Sequence, residues 1–167
     1  MEPWLIVGAG RLGLQLARSL FQRGVPFVGV VCRSQESRAN AAKVLPDRLL
    51  LAAEGPLPVA ARVLLAVRDR EIANAAQALM ATLERQAVIL HCSGALGPDA
   101  LKALAQAEFA TGVFHPMLAF PHPVEPPVDV RGAVVTLAGH PVAVAAGRKL
   151  AQALGMRPVE VGNLSWP

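Results

Sequence analysis

Apolar positions along the chain fall into short runs separated by polar and glycine-bearing breaks. Trp4, Leu5, Ile6 and Val7 form a continuous apolar run that ends in glycine, the pattern of a strand buried on both faces. Over residues 11–22, Leu12, Leu16 and Leu20 recur every fourth position beside Gly13 and Ala17, and Gly24 follows, which predicts an amphipathic helix with a glycine stop. A strand is predicted at 27–31 and a helix at 35–44, broken at Pro46 and Asp47. The alternation continues with strands at 49–51 and 63–67, a helix at 71–83 and a strand at 87–90. A helix at 98–107, with Pro98 at its first position, and a strand at 112–114 follow. Residues 115–127 contain Pro116, Pro121, Pro123, Pro126 and Pro127, so that segment is predicted as a loop. A strand at 133–137, a helix at 141–154 and a strand at 158–161 complete the pattern, and the chain then stops at Trp166 and Pro167 with no further helix.

Strands that alternate with helices predict an α/β fold, a doubly wound and mostly parallel sheet covered on both faces. At 167 residues the chain reads as one domain spanning 1–167. With 53% hydrophobic and 17% charged residues it is not expected to be disordered. No uncharged stretch reaches the roughly 20 apolar residues of a membrane span. The first residues lack the basic region and cleavage site of a secretory signal, so the expected location is cytoplasmic, with no membrane partner. A 3-2-1-4-5-6 strand order would put three strand spacings of about 4.8 Å between Cys32 and Cys92, too far for a disulfide.

Gly8, Ala9, Gly10, Arg11, Leu12 and Gly13 spell GxGxxG between the first predicted strand and its helix. In that context Gly8 permits the tight turn, Gly10 lets the backbone approach a diphosphate, and Gly13 lets helix and strand pack closely. The free N–H groups and positive dipole end of the helix face the same point. The alternative is a tight turn that holds nothing. An NAD site usually presents an acid to the ribose 2′-hydroxyl at the end of the second strand, roughly 20 residues after the glycines. Here Arg33 and Ser34 stand there, and Glu2 and Glu36 are the only acids in the first 46 residues. NADP is therefore expected in preference to NAD, with Arg33 and Ser34 donating to the 2′-phosphate. A solvated loop cation is the alternative for Arg33, and for Arg38 the stronger reading. The strand ending at Val67 places Arg68 on the rim of the same crevice, although Arg68 and Arg70 also fit a helix-start charge pattern with Asp69 and Glu71.

The net charge of +4 raises the question of a nucleic-acid partner. Only 4% of residues are aromatic and no Lys/Arg run forms a stripe, so an anionic small molecule is expected instead. Ser93 and His115 lie at the carboxyl ends of the fifth and sixth predicted strands, where a substrate would meet the nicotinamide. Ser93 is a candidate for a hydrogen bond to substrate and His115 for a general acid, against the plainer roles of turn former and backbone-satisfied histidine. His91, Cys92, His115 and His122 match no zinc-ligand spacing, so no metal is expected. Neither a GxSxG motif nor paired carboxylates point to hydrolysis.

The segments Ile6 to Gly13, Leu64 to Asp69, Leu90 to Leu96 and Phe114 to Met117 resemble the Rossmann-like proteins that carry a DUF2520 domain, over nearly the whole chain. That family is similar to the 6-phosphogluconate dehydrogenase-like group, including pyrroline-5-carboxylate reductase and F420-dependent NADP reductase. The resemblance implies a Rossmann NAD(P)-binding domain and oxidoreductase chemistry on a small-molecule substrate. It also implies a helical C-terminal domain that dimerises and closes the active site. That domain is absent here, so homodimerisation is expected of a full-length form and turnover by this chain is in question. A non-catalytic dinucleotide-binding sensor or regulatory module is the rival reading. A third reading, an S-adenosylmethionine-dependent methyltransferase, also uses a glycine loop, but this sequence lacks the acid near the end of the second strand that would bind the ribose.

Overall fold

The computed structural model describes residues 2–162; Trp166 and Pro167, on which the predicted end of the chain rests, lie outside the described residues. The opening apolar run forms β1 (Trp4–Val7), every residue of it buried. The elements that follow are α1 (Arg11–Gln22), β2 (Phe27–Cys32), α2 (Gln35–Ala42), β3 (Leu50–Ala52) and β4 (Ala60–Leu65). After them come α3 (Ile72–Leu79), β5 (Leu83–His91), α4 (Lys102–Gln106) and β6 (Ala110–Pro116). The last elements are β7 (Val134–Gly139), α5 (Pro141–Ala153) and β8 (Arg157–Glu160). The eight strands make one sheet in the order β3-β2-β1-β4-β5-β6-β7-β8.

All neighbouring pairs are parallel except β6 and β7. The exception follows from the proline-rich connection. Residues 117–133 contain no helix to carry the chain back across the sheet, so β7 runs opposite to β6. The predicted loop start at 115 is two residues early, because His115 and Pro116 still belong to β6. Met117 donates its backbone N–H to Val134, so the preceding proline's missing N–H faces the other side, where β5 has already ended opposite Val113. No ladder bond is lost there. The predicted 98–107 helix is a 3-10 turn over Pro98–Leu101 followed by the short α4, since Leu101 leaves helical backbone angles at the junction.

Each face of the sheet carries its own apolar layer. Trp4, Leu16, Leu20, Phe114, Leu137 and Leu150 represent the layer under α1 and α5. Leu5, Val63, Leu65, Ile72, Ile89 and Leu104 represent the one under α3 and α4. The proline-rich segment is strapped down onto α1. The buried Gln15 amide donates to the His122 carbonyl at 3.3 Å and accepts the Val128 N–H at 3.2 Å. One turn on, the buried Arg18 guanidinium donates to the carbonyls of Pro123 and Glu125. Leu118, Phe120 and Val128 fill the gap beneath. Cys32 and Cys92 are free and buried, with β1 and β4 between their strands. Among the described residues no helix is long and apolar enough to cross a membrane.

Candidate functional site

The turn from β1 into α1 is shaped by three glycines with three different duties. Gly8 has φ +108°, and a Cβ there would sit 2.5 Å from the Ala66 carbonyl oxygen, so only glycine lets β1 pass under the segment that leaves β4. At Gly13 a Cβ would overlap the Gly8 carbonyl oxygen, which fixes how closely α1 lies on the turn. Gly10 is the opposite case, since nothing stands within 4 Å of where its Cβ would point. The N-terminus of α1 has no side-chain cap and no acid in its first turn. Unpaired N–H groups and the positive end of the helix dipole therefore face open space beside Gly10, a cradle that any side chain there would fill.

The neighbouring residues sort into walls and rim. Ala9 is buried and Leu12 half-buried against the α1 layer, whereas Arg11 is exposed at the first helical position. Val67 is half-buried and approaches Gly8 from the β4 side, and Arg68 is exposed one residue further on. Ser34 caps α2: its hydroxyl accepts the Ser37 N–H at 3.1 Å, and the Ser37 hydroxyl accepts the Ser34 N–H in return. Arg38 donates to the Leu50 carbonyl at 3.0 Å, tying α2 to β3.

Arg33 reaches out from the end of β2, and here the structure adds a residue that the chain order concealed. Its Nη1 lies 2.6 Å from Oε1 of Glu71, at the end of a 3-10 turn (Asp69–Glu71) that follows β4. The end of β2 carries no acid, but the sheet order brings one from beyond β4 to the Arg33 guanidinium. Its one signal in the sequence was the Arg68, Asp69, Arg70, Glu71 charge pattern. The hydrogen bond from Arg33, together with the charges of Arg33, Arg68 and Arg70, holds the Glu71 carboxyl below the usual carboxylate range.

One strand beyond β4, at the end of β5, the 91–97 turn is built on a buried histidine. His91 Nε2 donates to the Gly97 carbonyl at 2.9 Å, which leaves Nδ1 to accept the Ser93 N–H at 3.3 Å. Ser93 is itself buried, and its hydroxyl oxygen accepts the N–H groups of Ala95 and Leu96 at 3.1 and 3.0 Å. His115, half-buried near the end of β6, donates Nδ1–H to the Cys92 carbonyl at 3.2 Å. Its ring lies against Gly94, where a Cβ would come within 2.6 Å of Cε1. The pairing leaves Nε2 as the ring nitrogen able to exchange a proton with a ligand. On strand spacing alone, Ser93 and His115 stand about 10 and 14 Å from the end of β1. His122 lies instead on the strapped loop against α1. Among the described residues no three His, Cys, Asp or Glu side chains are grouped to hold a metal ion.

Burial pushes the His91 imidazole below its ordinary pKa, outweighing the Gly97 hydrogen bond and the Asp69 charge, which favour the protonated ring. The unfolded chain then takes up this proton first. The contribution of neutral His91 to stability is complete above about pH 6.5 and is lost as the pH falls through the lower folded value. Urea unfolding at pH 7 and pH 5 is expected to show lower stability at pH 5. The dependence attributable to one proton, at most about 1.4 kcal/mol per pH unit, is expected to disappear in His91→Gln.

A cleft of about 1150 Å³ lies elsewhere, between the 98–106 helical segment and the first turns of α5, past Thr111 and Gly139. No residue of the glycine turn lines it.

Residues 4–116 match the Rossmann-like domain model. The chain belongs to the Rossmann-like domain family. That match covers the first six strands and the glycine turn and ends with β6, leaving the proline-rich strap, β7, α5 and β8 beyond it. A comparison with curated proteins found no match. Among solved structures, this Rossmann-like chain is similar to a Bacteroides fragilis protein assigned as an NADP oxidoreductase, with a TM-score of 0.78 at 21% identity. It is also similar to prephenate dehydrogenase from Aquifex aeolicus, a structure containing hydroxyphenyl propionate and NAD+, with a TM-score of 0.79 at 19% identity. Synechocystis arogenate dehydrogenase gives a TM-score of 0.77 at 19% identity. The alignments cover 96%, 97% and 96% of this chain but only 61%, 60% and 59% of those proteins, in the same order. The Rossmann-like chain thus spans about three fifths of the length of these neighbours, and the likeness is one of fold.

Proposed function

We propose that the chain is the NADP(H)-binding domain of an oxidoreductase acting on a small molecule, within the DUF2520 group of the 6-phosphogluconate dehydrogenase-like proteins. The observation that carries this reading is the open, uncapped turn at Gly10, where backbone N–H groups and the positive helix end face space that an anion such as a diphosphate can enter. The motifs at 6–13, 64–69, 90–96 and 114–117 support the narrower family. A nicotinamide dinucleotide, when bound, supplies hydride transfer. The chain's own residues then have separable tasks. The amides of the first turn of α1 hold the diphosphate, Val67 walls the turn on the β4 side, and Arg33 faces the ribose. Arg11 and Arg68 add positive potential at the rim. Ser34, whose hydroxyl accepts the Ser37 N–H and donates to the Ser37 hydroxyl, contributes through the orientation of α2, and reaches a 2′-phosphate only by turning its hydroxyl hydrogen away from Ser37. On the substrate side His115 holds or accepts a proton at Nε2, while Ser93 supports the turn beside it and offers its hydroxyl hydrogen.

A second reading, a dinucleotide-binding sensor without chemistry, is favoured by the commitment of the Ser93 oxygen to two backbone N–H groups. Oxidation of NADPH against a panel of carbonyl and imine compounds separates the two, since a sensor consumes none.

Calorimetric titration with NADPH, NADH and S-adenosylmethionine tests the cofactor assignment, with NADPH expected to bind tightest. In Arg33→Ala the NADPH dissociation constant is expected to rise about tenfold or more, from the loss of a charge-assisted hydrogen bond, while that for NADH changes little. Equal losses for both nucleotides would remove Arg33 from the 2′-phosphate.

A further inference from the structure

The ion pair between Arg33 and Glu71 crosses the mouth of the crevice. Arg33 follows β2 and Glu71 follows β4, and β1 lies between those strands, so the bridge passes over the end of β1 where the glycine turn begins. The partners are unequal. The Arg33 side chain is 71% exposed, whereas that of Glu71 is 24% exposed and sits on a short 3-10 turn joined to α3. The carboxylate is the fixed member and the guanidinium the movable one. Arg68 and Arg70 also bias Glu71 toward its charged form, so it remains an anion at neutral pH.

We infer that Glu71 is a specificity-determining residue, which competes with the nucleotide for Arg33 and thereby limits the preference of the crevice for a 2′-phosphorylated dinucleotide. This rests on the nucleotide reading above. In an open α/β sheet the ligand lies across the switch point, here between β1 and β4, so the adenosine ribose falls beside both members of the pair. A 2′-hydroxyl can donate to the Glu71 carboxylate while the ion pair stays intact. A 2′-phosphate, mostly a dianion at neutral pH, needs the guanidinium that Glu71 is holding and takes it only by breaking the ion pair. The two residues therefore pull the choice of nucleotide in opposite directions, Arg33 toward NADP and Glu71 toward NAD.

The test is titration of the full chain with NADPH and with NADH, in the wild type, Glu71→Gln, Arg33→Ala and the double variant. Glu71→Gln is expected to raise the ratio of the NADH to the NADPH dissociation constant about threefold to fivefold, the range that an exposed ion pair commands. In the Arg33→Ala background the same change is expected to move the ratio less than about twofold, because the guanidinium being competed for is gone. If both nucleotides bind and Glu71→Gln leaves the ratio unchanged or lowers it, the inference is overturned while the nucleotide reading stands. A full threefold to fivefold rise that persists without Arg33 also overturns it, because competition for the guanidinium is then not the cause. If the wild type binds neither nucleotide, both fail together.

Discussion

Gly10→Asp is expected to abolish dinucleotide binding without harming the fold. The Gly10 backbone, at φ −78° and ψ −170°, is the extended conformation of a helix N-cap, and space is open where the new side chain would go. Aspartate is among the best N-cap residues, accepting N–H groups of the first turn, so stability is expected to hold or to rise by a few tenths of a kcal/mol. Those same N–H groups are the ones a diphosphate would use. A carboxylate among them both occupies the cradle and repels the ligand, by about 4 kcal/mol for unit charges 4 Å apart near a protein surface. The expected loss of NADPH affinity is at least about 100-fold, read by calorimetry, alongside an unchanged or raised Tm. Retained binding would show that no phosphate approaches Gly10. A collapse in Tm would show that the turn is not open.

Gly13→Ala is expected to do the reverse, damaging the fold before any ligand is considered. The added methyl would overlap the Gly8 carbonyl oxygen and approach the Ala66 Cβ to 3.0 Å. The first obstacle is backbone at a residue already held at positive φ, so neither side can yield by a rotamer change. Overpacking of this kind costs about 3 kcal/mol or more where the backbone must move, a large share of the roughly 5–15 kcal/mol that holds an ordinary domain together. Urea unfolding is expected to show a midpoint shifted strongly downward at unchanged slope. A stability within about 0.5 kcal/mol of wild type would mean that α1 is free to lift from the turn, which would also loosen the cradle. Together the two substitutions assign Gly10 to the ligand and Gly13 to packing within one six-residue motif.

Much of this architecture was legible because it is written locally. The continuous apolar run of β1, the four-residue repeat of Leu12, Leu16 and Leu20, and the glycine stop after α1 each specify their element from neighbours in the chain. Two features escaped that reading because they depend on residues far apart. The antiparallel direction of β7 depends on what the 117–133 connection lacks, and the prolines reveal a loop without saying which way the chain resumes. The meeting of Glu71 with Arg33 depends on the β2-β1-β4 order, which places side by side two residues that stand 38 positions apart. Ser34 and Ser93 illustrate a different difficulty. Their types and positions suit a ligand, but a serine beside a helix start or tight turn suits the backbone equally well, and both hydroxyls here serve it.

The strap across α1 bears on the order in which the chain acquires its structure during synthesis. Gln15 and Arg18 wait for partners 107 and 105 residues later, beyond the end of the family match. A ribosome adding about 5–20 residues per second needs on the order of 5–20 s to supply them. For that interval the helix that begins at the phosphate cradle has a buried-type amide and guanidinium with no carbonyls to receive them. A nascent chain arrested near residue 116 should therefore be a good client for chaperones, released only when the proline segment has emerged and closed over it.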